Sequence, residues 1–151
     1  MNWPIPALLI LAISTASGAS FAQTGQDPLL VKECSSCHLP FSAGWLPKAS
    51  WRKIMANLDN HFGDDARLTE DRRKAVEEAL LARAGDAKTE RPSPFIKGVN
   101  GDEAPLRLTE TYGFQRKHKK FKPGSPMLAR AKTLANCQAC HPKAAEGIFE
   151  D

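Results

Sequence analysis

Two five-residue segments, one near each end of the chain, carry the side chains best suited to chemistry. Residues 34–38 read Cys-Ser-Ser-Cys-His, and residues 137–141 read Cys-Gln-Ala-Cys-His. These segments contain all four cysteines and two of the four histidines of the 151-residue chain. Cys-x-x-Cys-His is the attachment sequence of c-type haem. On a helix its cysteines and histidine share one face, so two thiols would meet the porphyrin edge while the imidazole reaches the iron.

The repeat predicts two covalently attached c-type haems and leaves no cysteine over. The predicted haem-binding residues are Cys34, Cys37, His38, Cys137, Cys140 and His141. The motif histidines would be the proximal iron ligands. A Cys-x-x-Cys pair can also form a redox dithiol or half of a zinc site. A histidine directly after both copies, together with the secretory signal described below, favours haem over these two alternatives.

The two histidines outside the motifs are candidates for the sixth ligand of each iron. His61 lies 23 residues after His38, and His118 lies 23 residues before His141. A neutral imidazole is a good axial ligand. The predicted metal ligands are therefore His38, His61, His118 and His141, which would use every histidine in the chain.

Each distal candidate also has an interpretation without iron. A predicted helix over residues 50–62 places His61 on its apolar face, where a histidine is more often a packed core residue. His118 stands in a run of four cations, and such a run is usually a solvated face. Met55 and Met127 are competing ligands, since Met/His ligation raises the reduction potential and two imidazoles leave it lower. We expect two imidazoles at both irons, and hence low-spin haems of low potential.

Composition and charge allow one domain or two very small ones. The formal net charge is +4, the sequence pI is about 9.0, and residues 1–22 carry no charged side chain. Each ferric haem adds about −1 and each ferrous haem about −2, so two haems would bring the protein to about +2 oxidised and about 0 reduced. The basic pI of the bare chain is therefore a poor indication of nucleic-acid binding, and no nucleic-acid partner is expected.

Residues 1–22 have the pattern of a cleaved secretory signal. The apolar run at 5–13 is too short to span a bilayer, and small residues at Ser20 and Ala22 suit cleavage after Ala22. The first three residues contain no Lys or Arg, which departs from the usual pattern, and the alternative is an uncleaved membrane anchor. Because bacteria attach c-type haem outside the cytoplasm, a signal and the two motifs support each other. We expect a periplasmic protein.

The pattern of the remaining chain predicts a mainly α fold with a loop-rich second half. Pro28 begins a helix that runs through the first motif, Ser50 caps a second helix, and Thr69 caps a third. Ser125 and Pro126 begin a last helix that continues to the second motif. The expected helices cover 28–38, 50–62, 69–84 and 125 to the second motif, and 109–121 is either helical or extended. The predicted division is a signal at 1–22, an N-terminal haem domain at 23–85, an irregular linker at 86–108 and a C-terminal haem domain at 109–151.

Over most of the mature chain, the sequence resembles the small periplasmic dihaem cytochromes c. The resemblance rests on residues 34–38, 46–51, 57–66, 108–111, 135–141 and 144–150, with Phe114 and His118. It implies a class I cytochrome c-like N-terminal half, an irregular C-terminal half, and His61 and His118 as distal ligands. It also implies electron transfer to or from membrane cytochrome b or a small oxygen-binding haem protein. The pair Tyr112-Gly113 departs from the bulkier pair expected there.

The resulting expectation is an electron carrier and not an enzyme. The alternative is a peroxidase-like haem enzyme or a ligand sensor with one displaceable axial ligand. The basic cluster, defined as Arg116, Lys117, Lys119 and Lys120, would suit docking of an acidic redox partner. It could equally hold haem propionates or be merely solvated.

Overall fold

The described residues are mainly α-helical, as expected. A computed structural model describes residues 27–88, 93–99 and 103–149, so the predicted signal lies outside the described residues. The α-helices are α1 (Pro28–Cys34), α2 (Lys48–Met55), α3 (Glu70–Ala82), α4 (Tyr112–Lys117) and α5 (Pro126–Ala131). Short 3-10 turns cover Ala43–Trp45, Leu58–Asn60, Leu108–Glu110, Cys137–Ala139 and Ala144–Glu146. None of these helices is long and apolar enough to cross a membrane.

Helices α1 to α3 enclose a small apolar core in the N-terminal half. Asp27 begins α1, because its side chain accepts a hydrogen bond of 2.8 Å from the Leu29 amide ahead of a proline at the first position. Trp51 on α2 is buried, and its indole Nε1–H donates to the Ala43 carbonyl oxygen at 2.8 Å. Val76 and Leu80 pack against it from α3. Full burial of each such aliphatic side chain stabilises the fold by about 1.5–3 kcal/mol.

Helix α2 is shorter than predicted and begins earlier. It starts at Lys48 after Pro47, so Ser50 lies inside the helix and is fully buried instead of capping it. The helix ends at Met55, and a 3-10 turn at Leu58–Asn60 follows. His61 is therefore not on a continuous helical face. The cause is a tight turn in which His61 and Asp64 form an isolated bridge, with Phe62 at φ 58° and Gly63 at φ 109°.

The segment 109–121, predicted to be either helical or extended, contains the helix α4. The Thr111 hydroxyl donates to the Leu108 carbonyl oxygen at 2.9 Å and accepts from the Phe114 amide at 3.3 Å, which caps the helix. Gly113 is buried in its first turn, and a Cβ there would overlap the Pro94 carbonyl oxygen and stand 2.7 Å from Phe95 Cα. The absence of a side chain at Gly113 thus allows residues 93–99 to cross α4 at close range.

Neither motif lies wholly on a helix, contrary to the expectation of one shared helical face. Helix α1 ends at Cys34, so the rest of the first motif forms a turn. Helix α5 begins after Ser125 as predicted, with the Ser125 hydroxyl accepting from the Leu128 amide at 3.3 Å. It ends at Ala131, because Lys132 takes a positive φ of 65°. The second motif then occupies the 3-10 turn at Cys137–Ala139.

Aromatic rings join the two halves of the chain. The Trp45 ring lies 5.7 Å from Phe95 and 5.0 Å from Phe149, both in edge-to-face geometry. Such aromatic pairs contribute about 0.5–1.5 kcal/mol beyond the area they bury. The Arg107 guanidinium lies 4.2 Å above the Phe62 ring, beside the first distal histidine candidate. Residues of the two halves are therefore in contact near both motifs.

Candidate functional site

The histidine rings His38 and His61 face each other in the N-terminal half. Their ring centroids are 6.1 Å apart, and their planes differ by 17°. His38 Nδ1–H donates to the Leu39 carbonyl oxygen at 2.8 Å, since a carbonyl can only accept. This hydrogen bond fixes the tautomer and leaves Nε2 available for a metal.

The rings of His118 and His141 form a second pair in the C-terminal half. Their centroids are 6.3 Å apart, and their planes are nearly perpendicular, at 87°. His118 Nδ1–H donates to the Phe114 carbonyl oxygen, one helical turn earlier, at 2.9 Å. Each distal candidate thus pairs with the motif histidine nearest to it in sequence, and the pairing does not cross between halves.

Both separations match those required by an iron held between two imidazoles. With metal–imidazole bonds of about 2.0–2.1 Å and a ring nitrogen about 1.1 Å from its ring centre, imidazoles on opposite sides of one iron have centroids about 6.3 Å apart. The observed centroid distances are 6.1 and 6.3 Å. The residues present therefore fit a six-coordinate haem iron at each site.

The four cysteines are free thiols placed next to these ring pairs in the chain. Cys34 and Cys137 are half-buried, whereas Cys37 and Cys140 are exposed. Burial, with the nearby Glu33 carboxylate, raises the pKa of the Cys34 thiol, and burial likewise raises the pKa of Cys137. Because a raised thiol pKa lowers the fraction of reactive thiolate, these surroundings disfavour a redox dithiol.

The surroundings of His61 favour its neutral form. Partial burial lowers its pKa, and the neighbouring His38 and Arg107 lower it further, while Asp64 opposes them. Only the neutral imidazole has a lone pair to offer a metal. The Arg107 contribution comes from the C-terminal half of the chain.

A cavity of about 580 Å³ opens beside the second ring pair. This volume is within the range of about 300–1,000 Å³ that is usual for small-molecule and cofactor sites. Its lining includes Cys137, Cys140, His118 and His141 together with Trp45, Phe95, Phe114, Phe121, Met127 and Phe149. The sequence pattern does not predict the contribution of Trp45 and Phe95 to this site. The signal for them is weak, because scattered aromatic residues are typical of any core.

The competing methionines lie in different surroundings. Met55 is 4% exposed and belongs to the apolar core of the N-terminal half. Met127 is 42% exposed and lines the cavity beside His118. Met55 therefore acts as core filler, while Met127 is the methionine that a ligand assignment at the second site must test.

Charge is distributed unevenly between the halves. Residues 27–88 contain ten Lys or Arg and ten Asp or Glu, so they are neutral. Residues 103–149 contain nine Lys or Arg and three Asp or Glu, a difference of +6. All four side chains of the basic cluster are exposed, and Lys117 also lines the cavity of the second site. The basic cluster therefore flanks His118 along the chain.

Comparisons with known proteins show the family to which the chain is similar. The family described as dihaem cytochrome c matches residues 30–149. A solved structure of a diheme cytochrome c from Rhodobacter sphaeroides is 42% identical, with a TM-score of 0.75, and the match covers 82% of this chain and 97% of that one. A diheme cytochrome c structure from Shewanella baltica OS155 is 32% identical, with a TM-score of 0.63, over 82% and 86% of the two chains. No match was found among the curated proteins.

The family match extends over more than half of the chain and includes both motifs. Its description accounts for two haem-attachment sequences and replaces the dithiol and zinc alternatives. The cofactors of the chain are therefore two c-type haems with iron. The chain belongs to the dihaem cytochrome c family.

Proposed function

We propose that this cytochrome is a periplasmic electron carrier in which both haem irons have two histidine ligands. Cys34 and Cys37 would hold the first porphyrin, and Cys137 and Cys140 the second. The observation that carries the proposal is the pair of facing imidazole couples, His38 with His61 and His118 with His141, at centroid distances of 6.1 and 6.3 Å. Two strong protein ligands on each iron leave no open position for a substrate.

The haems supply a one-electron couple when bound, and the chain's own residues orient and shield it. Hydrogen bonds from Nδ1 of His38 and His118 to backbone carbonyls hold the imidazoles in one tautomer, which keeps ligation the same in both redox states. Low reorganisation on electron gain is what a carrier needs. No proton transfer or bond formation by a side chain is part of this function.

The rival function is a peroxidase-like enzyme or a ligand sensor, which needs one displaceable axial ligand. We expect the ferrous protein at neutral pH not to bind carbon monoxide, because both axial positions are occupied by imidazole. Absorption spectra recorded under carbon monoxide test this expectation. Stoichiometric formation of a carbonyl complex at either haem would exclude paired histidine ligation there and would favour the rival function.

Periplasmic location is supported by the signal-like sequence at residues 1–22 and by the chemistry of c-type haem attachment. The proposed partners are redox proteins, such as membrane cytochrome b or a small oxygen-binding haem protein, as the family resemblance implies. The charge difference of +6 in residues 103–149 favours partners with an acidic docking face.

The basic cluster makes a specific prediction about association rate. Oxidation of the reduced protein by ferricyanide, used as an anionic probe, should slow as salt is added, because the Debye length shortens to about 10 Å at 0.1 M. A Lys119→Gln/Lys120→Gln variant should show a flatter salt dependence in stopped-flow measurements. An Arg52→Gln/Lys53→Gln variant removes the same charge from the exposed face of α2 and should behave as the wild type. A flat salt response in the wild type would refute electrostatic docking.

A further inference from the structure

The two iron sites have the same ligand types but different ligand orientations. The imidazole planes of His38 and His61 are nearly parallel, at 17°. Those of His118 and His141 are nearly perpendicular, at 87°. The two irons would therefore experience different ligand fields, even though four imidazoles and two identical porphyrins surround them.

One residue, Phe114, contacts the His118 imidazole in two ways. The Phe114 ring stacks on it, with centroids 3.9 Å apart and planes 16° from parallel. The Phe114 carbonyl oxygen accepts the hydrogen bond from His118 Nδ1 at 2.9 Å. The hydrogen bond fixes which edge of the imidazole points to the backbone, and the stack fixes the plane in which the imidazole lies.

Phe114 is itself held rigidly. It is 4% exposed, and its amide donates to the Thr111 hydroxyl, whose residue is 2% exposed. The preceding Gly113 lies directly against the Pro94 backbone. Phe95 adds a ring contact at 6.2 Å. The orientation of the Phe114 ring is therefore set by the packing of residues 93–99 on α4. Through the stacking contact, the Phe114 ring in turn sets the plane of the His118 imidazole.

The distal ligand of the first site has a different support. The Phe62 ring meets His61 edge-on, with centroids 4.8 Å apart and an interplanar angle of 63°. Phe62 is 44% exposed, on the turn that follows the 3-10 segment. An exposed edge-on ring constrains an imidazole plane much less than a buried parallel one.

We propose that Phe114 is a positioning residue that holds the His118 imidazole across the plane of His141, which makes the second ferric haem electronically distinct from the first. This inference rests on the proposed paired histidine ligation. Parallel imidazoles act on the same iron π orbital and split it from its partner, whereas perpendicular imidazoles act on both orbitals equally and reduce the splitting. A smaller splitting gives a low-spin ferric iron with a larger maximum g value. Axial ligation is one of the means by which a protein tunes haem iron.

Electron paramagnetic resonance of the frozen, fully oxidised protein tests the wild type. We expect two low-spin signals of equal integrated intensity, one rhombic and one with a clearly larger maximum g value. Two low-spin signals with the same maximum g value would overturn this inference and leave the proposed function standing. A high-spin signal, or a carbonyl complex after reduction, would instead contradict the proposed function.

Two variants test the role of Phe114 itself. Phe114→Leu and Phe114→Met keep apolar bulk and the backbone carbonyl but remove the flat surface, so the large-g signal should shift downward or broaden while the rhombic signal stays unchanged. Phe121→Leu is the matched control, because Phe121 contacts the same imidazole at 6.2 Å and 41° without stacking on it. Covalent haem content verifies that each variant carries two haems. An unchanged large-g signal in either Phe114 variant with both haems would refute the assignment.

Discussion

Replacement of His118 by Ala should convert one of the two haems from low-spin to high-spin and leave the other unchanged. His118 faces His141 at a centroid distance of 6.3 Å, and Ala cannot reach an iron between them. About half of the haem should then show the high-spin charge-transfer absorption and bind carbon monoxide when reduced. The same change at His61 should affect the other haem, because His61 faces His38.

Absorption and magnetic resonance spectra of the two single variants measure this result, and the double variant should lose both low-spin signals. Met127→Leu is the control at the second site, since Met127 lines the same cavity. It should retain both low-spin haems. If Met127→Leu produced the high-spin haem and His118→Ala did not, the ligand assignment at the second site would be wrong.

Gly113→Ala should destabilise the protein although alanine is the better helix former. An added methyl group in α4 would overlap the Pro94 carbonyl oxygen and stand 2.7 Å from Phe95 Cα, and backbone atoms cannot yield as a flexible side chain can. Helix propensity favours Ala over Gly by about 1 kcal/mol. Overpacking of a closely packed site costs about 1–3 kcal/mol, sometimes more. The clash should outweigh the propensity, so the free energy of unfolding should fall.

Guanidinium unfolding followed at the haem absorption bands measures the change, with the largest loss expected at the second haem. Gly44→Ala is the matched control, because a Cβ there meets nothing closer than the Arg83 carbonyl oxygen at 3.7 Å. Its unfolding midpoint should stay near that of the wild type. Equal or higher stability of Gly113→Ala would mean that residues 93–99 do not press on α4 in solution.

Local sequence patterns predict the motifs and the fold class of this protein better than they predict where its helices end. The two motifs, the mainly α fold and the start of α5 at Ser125 could all be predicted, because each depends on residues close together in sequence. The end of α2 could not, since the bridge between His61 and Asp64 diverts a chain whose apolar spacing continues. The end of α5 at Ala131 has no local signal, because the lysine that follows, Lys132, is a residue type that rarely adopts positive φ.

The walls of the second site depend on contacts between distant residues. By helix propensity alone, Gly113 is unfavourable in α4. The requirement for glycine at this position becomes evident only from the Pro94 backbone that packs against it. Phe114 looks like an ordinary apolar residue on a short helix until its ring is seen 3.9 Å from that of His118. The pairing of His118 with His141 follows sequence proximity, but the perpendicular arrangement of their planes has no counterpart in the sequence pattern.

The contacts of Trp45 argue against treating the two halves of the chain as separable units. It lies seven residues after His38, yet it lines the cavity beside His118 and His141 and contacts Phe149 near the other end of the chain. A residue of the N-terminal half therefore forms part of the wall of the cavity beside the second motif. A boundary drawn within residues 86–108 therefore divides the sequence but not the lining of this cavity.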